Sequence, residues 1–210
     1  MPPITLELIE ARTRRARKTR HGFTDIQQAA EDVVAQYSAR DCTQLARQLF
    51  TSEAHQARML AVFIFGRVAA KSKPVMRFLR QQVSHDPDWR VQEILAQALD
   101  HYCVDIGYEK ALPIIKDWLS DPHPNVRRAV TEGLRIWTSR DYFRDHPQVA
   151  TQLLGGPKAD ESEYVRQSVG NALRDISRKH GALVRAEVET WDVSDKRIGQ
   201  TYKLASKFLH

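Results

Sequence analysis

The sequence predicts an all-α protein, a right-handed solenoid of stacked helix pairs with a concave groove. Three observations predict it. A 14-residue segment recurs, its apolar positions fall on one helical stripe, and no alternating β pattern or Asn-Gly or Asp-Gly hairpin signal competes. The copies begin at Asp86, Asp121 and Asp160 and align without gaps. They read Asp86-Pro-Asp-Trp-Arg-Val-Gln-Glu-Ile-Leu-Ala-Gln-Ala-Leu99, Asp121-Pro-His-Pro-Asn-Val-Arg-Arg-Ala-Val-Thr-Glu-Gly-Leu134 and Asp160-Glu-Ser-Glu-Tyr-Val-Arg-Gln-Ser-Val-Gly-Asn-Ala-Leu173. Weaker copies start near Ser52, with Arg58 and Phe65 in register, and near Trp191, with Arg197.

With the opening Asp counted as zero, offsets 5, 9, 12 and 13 are apolar or small in every strong copy. They are Val91, Leu95, Ala98 and Leu99, then Val126, Val130, Gly133 and Leu134, then Val165, Val169, Ala172 and Leu173. At about 100° per residue these share a stripe that must be buried. Offsets 7, 11 and 14 fall opposite and are polar: Glu93, Gln97 and Asp100; Arg128, Glu132 and Arg135; Gln167, Asn171 and Arg174. Asp-Pro at residues 86–87 and 121–122 marks helix starts.

Another apolar helix is predicted before each copy, over Pro74–Val83, Tyr108–Leu119 and Pro147–Leu154. A helix pair every 35 to 39 residues is a HEAT-like repeat unit, and five or six pairs are expected. Gly155-Gly156-Pro157 reads as a break between paired helices. The expectation is therefore one repeat domain over residues 1–210, with a basic N-terminal helix or arm over about 1–22 and repeats over 23–210.

The 210 residues carry a net charge of +6 and 42% hydrophobic residues. This balance suits a folded chain with an anionic partner, though charge alone does not name it. Cys42 and Cys103 form no CxxC pair, and the eight histidines show no ligand spacing, so no metal or other cofactor is expected. Met1–Glu10 lacks the pattern of a signal peptide, and the longest apolar run, Met59–Phe65, is too short to span a bilayer. A cytoplasmic monomer with no membrane partner is the expectation.

Equivalent positions of successive repeats become neighbours, so the second helices should line the groove. Glu93, Arg128 and Gln167 are expected in one row, Gln97, Glu132 and Asn171 in the next, and Asp100, Arg135 and Arg174 in a third. Offset 6 gives Arg58, Gln92, Arg127 and Arg166 at the helix shoulder. There an Arg either bonds the Asp of a neighbouring turn or contacts DNA. Arg12, Arg14, Arg15, Arg17, Lys18 and Arg20 fall within nine residues, a run that suits phosphate contacts or a solvated helix.

Four stretches carry a resemblance. They are His55-Gln-Ala-Arg-Met-Leu-Ala61, Asp88-Trp-Arg-Val-Gln-Glu93, Asp117-Trp-Leu-Ser-Asp121 running on to Val126-Arg-Arg-Ala129, and Tyr164-Val-Arg-Gln-Ser-Val-Gly-Asn-Ala-Leu-Arg-Asp-Ile-Ser177. Together they resemble the bacterial DNA alkylation repair family of HEAT-like DNA glycosylases. The resemblance implies hydrolysis of the N-glycosidic bond of cationic N3- or N7-alkylated purines in double-stranded DNA. It implies a carboxylate, a Trp one turn before it, and an Arg from the next repeat, which map onto Glu93, Trp89 and Arg128. Trp89 and Glu93 are i,i+4 and share a helix face. Arg58, Arg127, Arg135, Arg166, Asn171, Arg174 and the basic N-terminal run are then candidate DNA contacts. This chain departs from one branch of that family at two places. Glu93 stands where that branch has Asp, and Asn171 stands where it has a second groove Trp. The other class consistent with the sequence is a non-catalytic HEAT-repeat module that binds DNA or a protein.

Overall fold

The computed structural model describes residues 6–18 and 23–209, which hold twelve α-helices and no strand. It divides into two compact units, residues 1–106 and 107–210. Each is a stack of HEAT-like helix pairs.

The first unit contains α1 (Leu6–Arg17), α2 (Thr24–Gln36), α3 (Ala39–Phe50), α4 (His55–Val68), α5 (Lys73–Gln81) and α6 (Trp89–Ile106). Its centre is α4, whose run Met59–Phe65 is buried on every side, as a helix that is apolar all round must be. The fit of α4 to α6 is close. A Cβ added at Gly66 would sit 2.7 Å from the Ala98 Cα, so Gly66 is a position where only glycine admits this approach. The N-terminal segment is a helix, with Ala16 buried and its basic residues turned outward. Arg20, and the side chain of Arg12, lie outside the described residues.

The second unit contains α7 (Tyr108–Leu119), α8 (Pro124–Trp137), the short α9 (Asp141–Asp145), α10 (Pro147–Gly155), α11 (Glu163–Val188) and α12 (Lys196–Ala205). The Gly-Gly-Pro break ends α10 and starts a short 3-10 turn, Gly156–Ala159. The third copy runs further than its repeat pattern, because α11 continues to Val188 through non-helical backbone at His180. Trp118 and Trp191 are core residues, and the indole of Trp191 donates to Glu187 Oε1 at 3.1 Å. The copy near Trp191 does form α12, capped by Asp195, but Arg197 is solvent-exposed.

The twelve residues at offsets 5, 9, 12 and 13 of the strong copies are all buried. Each opening Asp has a second task. Its Oδ1 accepts the backbone N–H two residues on: Asp88 to Asp86 at 2.9 Å, His123 to Asp121 at 2.7 Å, Ser162 to Asp160 at 2.8 Å. This Asx turn satisfies a donor just ahead of the helix.

The shoulder arginines brace the same turns. Arg58 Nη1 donates to the carbonyls of Ser52 and Glu53, while Nε and Nη2 grip the Asp86 carboxylate at 2.6 and 3.1 Å. Arg127 repeats the pattern with the carbonyls of Asp121 and Pro122 and the Asp160 carboxylate, both contacts at 2.7 Å. The hydrogen bond to Asp160 pushes the Arg127 guanidinium further up. These paired forks are bidentate, and their geometry fixes one repeat against the next within each unit. Gln92 fills the same offset in the first strong copy and donates to its own Asp86 carbonyl at 2.7 Å.

One surface expectation fails. Asp100, placed by the helical wheel on the exposed third row, is buried. The cause is the packing of α4 on α6, which brings Arg67 Nη1 to 3.0 Å from the ring nitrogen Nδ1 of adjacent His101.

Candidate nucleic-acid interface

In the first unit, Asp88 caps α6. Its Oδ1 accepts the Arg90 N–H at 3.0 Å and its carboxylate holds the Arg90 guanidinium at 2.8 and 2.7 Å. These hydrogen bonds draw the Asp88 carboxyl down to about 2. His55 Nδ1 lies 3.7 Å from the same carboxylate. Burial, then the nearby Arg90 charge, draws the His55 imidazolium down despite Asp88.

Trp89 is the first residue of α6 and is 57% exposed, an unusual degree for the largest side chain. The Arg90 guanidinium carbon lies 5.8 Å from its ring centroid. One turn on, Glu93 is half-buried and makes no hydrogen bond or ion pair among the described residues. An exposed indole and an uncommitted carboxylate therefore share one face of a rigid helix.

In the second unit the corresponding face is tied together. The Arg128 guanidinium stacks over the Tyr164 ring at 4.1 Å and lies 3.7 Å from Glu132. Glu132 also takes Arg135 at 2.7 Å and the Ser168 hydroxyl at 2.7 Å. Arg135 continues to Asp175 at 2.8 Å, and Arg174 meets Asp175 at 3.1 Å. Burial pushes the Asp175 carboxyl up, but the hydrogen bonds and charges of Arg135 and Arg174 outweigh it and hold it below its usual range. Three arginines thus share two carboxylates. Asn171 is half-buried and makes no hydrogen bond among the described residues.

The structure sorts the remaining candidates. Arg58 and Arg127 spend their guanidinium donors on the fold, and Arg166 uses the same offset on α11. On α1, Arg15 reaches Asp32 at 3.3 Å, while Arg14, Arg17 and, just past the helix, Lys18 have exposed side chains that are unpaired among the described residues. The groove offsets of the repeat do not include Tyr164. It stands at offset 4, beside the three offsets used for the groove, and a wider wheel would have included it.

The model of the DNA alkylation repair enzyme family matches residues 22–204. The chain belongs to that family. Among solved structures, AlkD2 from Streptococcus mutans is 45% identical, with a TM-score of 0.93 over 97% of this chain and 98% of that one. The alkylpurine DNA glycosylase AlkC from Pseudomonas fluorescens, bound to DNA containing an abasic site analog, is 21% identical. It matches with a TM-score of 0.51 over 98% of this chain and 62% of that one, a likeness of fold. The uncharacterized protein YhaZ of Bacillus subtilis (strain 168) is 34% identical over 90 residues, 41% of this chain. The match covers 25% of YhaZ, so the matched part of this member of the DNA alkylation repair family spans about a quarter of that relative's length. No helix among its described residues is long and apolar enough to cross a membrane.

Proposed function

We propose that this chain is a DNA glycosylase that hydrolyses the N-glycosidic bond of cationic N3- or N7-alkylated purines in double-stranded DNA. The observation that carries the reading is the face of α6, where exposed Trp89 stands one turn from Glu93, unpartnered among the described residues. Membership of the DNA alkylation repair family supports it.

The chemistry asks little of the protein. An alkylated purine that already bears positive charge departs as a neutral base, so no strong acid is required. Positive charge then develops on the deoxyribose. A fixed carboxylate stabilises it, and Glu93 supplies one that no internal cation has neutralised. The same carboxylate orients the water that adds to the sugar carbon as the base leaves. The indole of Trp89 offers a π-face, which favours cationic character in its neighbour. Arg128 is assigned to a phosphate, since stacking on Tyr164 holds the guanidinium plane while its edge carries the donors. Arg14, Arg17 and Lys18 are assigned to nonspecific phosphate contacts. The protein acts as a cytoplasmic monomer on this reading.

The test is release of free 3-methyladenine and 7-methylguanine from methylated duplex DNA by the wild type and by Glu93→Gln. The expected result is release by the wild type and a fall of about 100-fold or more in the variant, with folding and DNA affinity retained. Absence of release above the spontaneous rate, with DNA still bound, overturns the reading and leaves a non-catalytic HEAT module.

A further inference from the structure

Arg166 occupies the shoulder offset on α11 and repeats half of the bracing pattern. Its Nη1 donates to the carbonyls of Asp160 and Glu161 at 2.6 and 3.0 Å, as Arg58 and Arg127 do at their own turns. The other half differs. Where Arg58 and Arg127 grip a carboxylate, Nε and Nη2 of Arg166 both reach one neutral oxygen, Gln200 Oε1, at 3.1 and 2.7 Å. Arg166 is only 7% exposed. A guanidinium that is desolvated, without a carboxylate against its fork, sits in an environment that favours an anion.

A cleft of about 310 Å³ opens beside it, lined by Glu163, Arg166, Gln167, Gln200, Lys203 and Leu204. Lys203 is exposed and makes no hydrogen bond or ion pair among the described residues. The one acid of the cleft, Glu163, takes the Gln167 amide at 3.0 Å and pairs with neither cation. Gln200 is exposed, and its amide N–H donors are uncommitted among the described residues. A flip of that carboxamide by roughly 180° presents donors where an acceptor now stands.

We propose that Arg166, Gln200 and Lys203 form a docking site for a phosphate group. A tetrahedral oxyanion matches the set. It accepts from the Arg166 fork, the Gln200 amide and the Lys203 ammonium together, and it supplies the negative charge that the other two shoulder arginines receive from Asp86 and Asp160. The group comes either from a nucleic-acid backbone, which rests on the DNA reading above, or from free phosphate, which does not.

Thermal unfolding of the full chain in rising inorganic phosphate, at fixed ionic strength, tests the site. The wild type should show a rise in Tm of about 3–6 °C at ten times Kd, growing with the logarithm of phosphate concentration above Kd. Arg166→Ala removes braces of the fold, so two gentler variants carry the test. Gln200→Glu places a carboxylate against the guanidinium. It should match or exceed the wild-type Tm without phosphate and lose the phosphate response. Lys203→Ala should keep its Tm and bind phosphate at least about 10-fold more weakly. No such rise in the wild type, an undiminished response in both variants, or a lower phosphate-free Tm in Gln200→Glu overturns the proposal. An unmodified 16-base-pair duplex distinguishes the sources. If the group is a DNA phosphate, Lys203→Ala lowers the slope of log affinity against log salt by about 1. If the slope is unchanged while phosphate binding falls, the occupant is free phosphate. Glu93→Gln taken through the same titration keeps the wild-type response, so loss of base release and loss of phosphate binding are read separately.

Discussion

The face of α6 in the first unit and the faces of α8 and α11 in the second use equivalent repeat positions in opposite ways. Glu93 and Arg128 share offset 7, yet Glu93 is unpartnered among the described residues while Arg128 lies between Tyr164 and Glu132. Trp89 stands in solvent at the start of its helix, whereas Arg135 and Arg174 are locked on Asp175. The bracing beneath is alike in both units, with Arg58 on Asp86 and Arg127 on Asp160. A repeat therefore fixes the scaffold and leaves the face free to diverge. A face whose charges cancel internally rigidifies the stack, and a face whose charge is left over is available to a ligand; on the paired face Arg128 makes no side-chain hydrogen bond among the described residues and so keeps donors for a phosphate.

The largest expected effect concerns what the two units share. Asp160→Ala strands the Arg127 guanidinium, and Asp86→Ala strands Arg58. Each should cost about 3–5 kcal/mol, because one partner of a buried pair is removed. Chemical denaturation measures both losses, and a large difference between them breaks the equivalence of the braces.

A functional contrast comes next. Trp89→Ala should change stability by no more than about 0.5 kcal/mol, since the ring is mostly in solvent. It should lower base release about 10-fold or more, as loss of an exposed contact to the sugar requires. A large drop in Tm with release intact assigns Trp89 to packing instead.

Arg135→Gln tests the other face. It should cost about 1 kcal/mol, the scale of a partly exposed ion-pair network, because the side chain is 33% exposed. A loss of several kcal/mol makes this network part of the frame; no loss makes it a solvated surface like that of α6.

The smallest effect is on acid stability. The folded Asp88 carboxyl, at about 2, lies below its ordinary 3.8, and Asp175 is shifted in the same direction. Both carboxylates are favoured by the fold. Their contribution is complete above the unfolded value near 4 and is lost as pH falls through the folded one, about 2 for Asp88. Asp88→Asn should flatten the dependence of Tm on pH in that window, measured by thermal scans between pH 2 and 5. An unchanged slope removes the Asp88–Arg90 clamp from the account.

Much of this was legible in the sequence because burial is periodic. Val91, Val126 and Val165, with the rest of their stripe, had to be inside whatever the neighbouring helices were. Trp89 and Glu93 were legible as a pair, since i,i+4 spacing on a helix fixes a shared face. The shoulder arginines were legible as a choice between bracing and DNA, and in the structure Arg58 and Arg127 lie against carboxylates of the fold. Asp100 was misread, because a helical wheel does not know that α4 presses on that turn of α6. The groove offsets leave out Tyr164, and no offset pairs Arg166 with Gln200, which stands in place of a carboxylate 34 residues away in the chain.

The sequence by itself determined the helices, the repeat, the buried stripe and the family, all of which follow from local periodicity and from residues that act through their own helix. Only the tertiary structure decided which charges are spent and which remain. Whether Arg127 meets Asp160, Arg166 meets Gln200 or Glu93 meets no partner among the described residues depends on side chains from separate elements coming within about 3 Å, the range of a hydrogen bond. No local pattern encodes that distance.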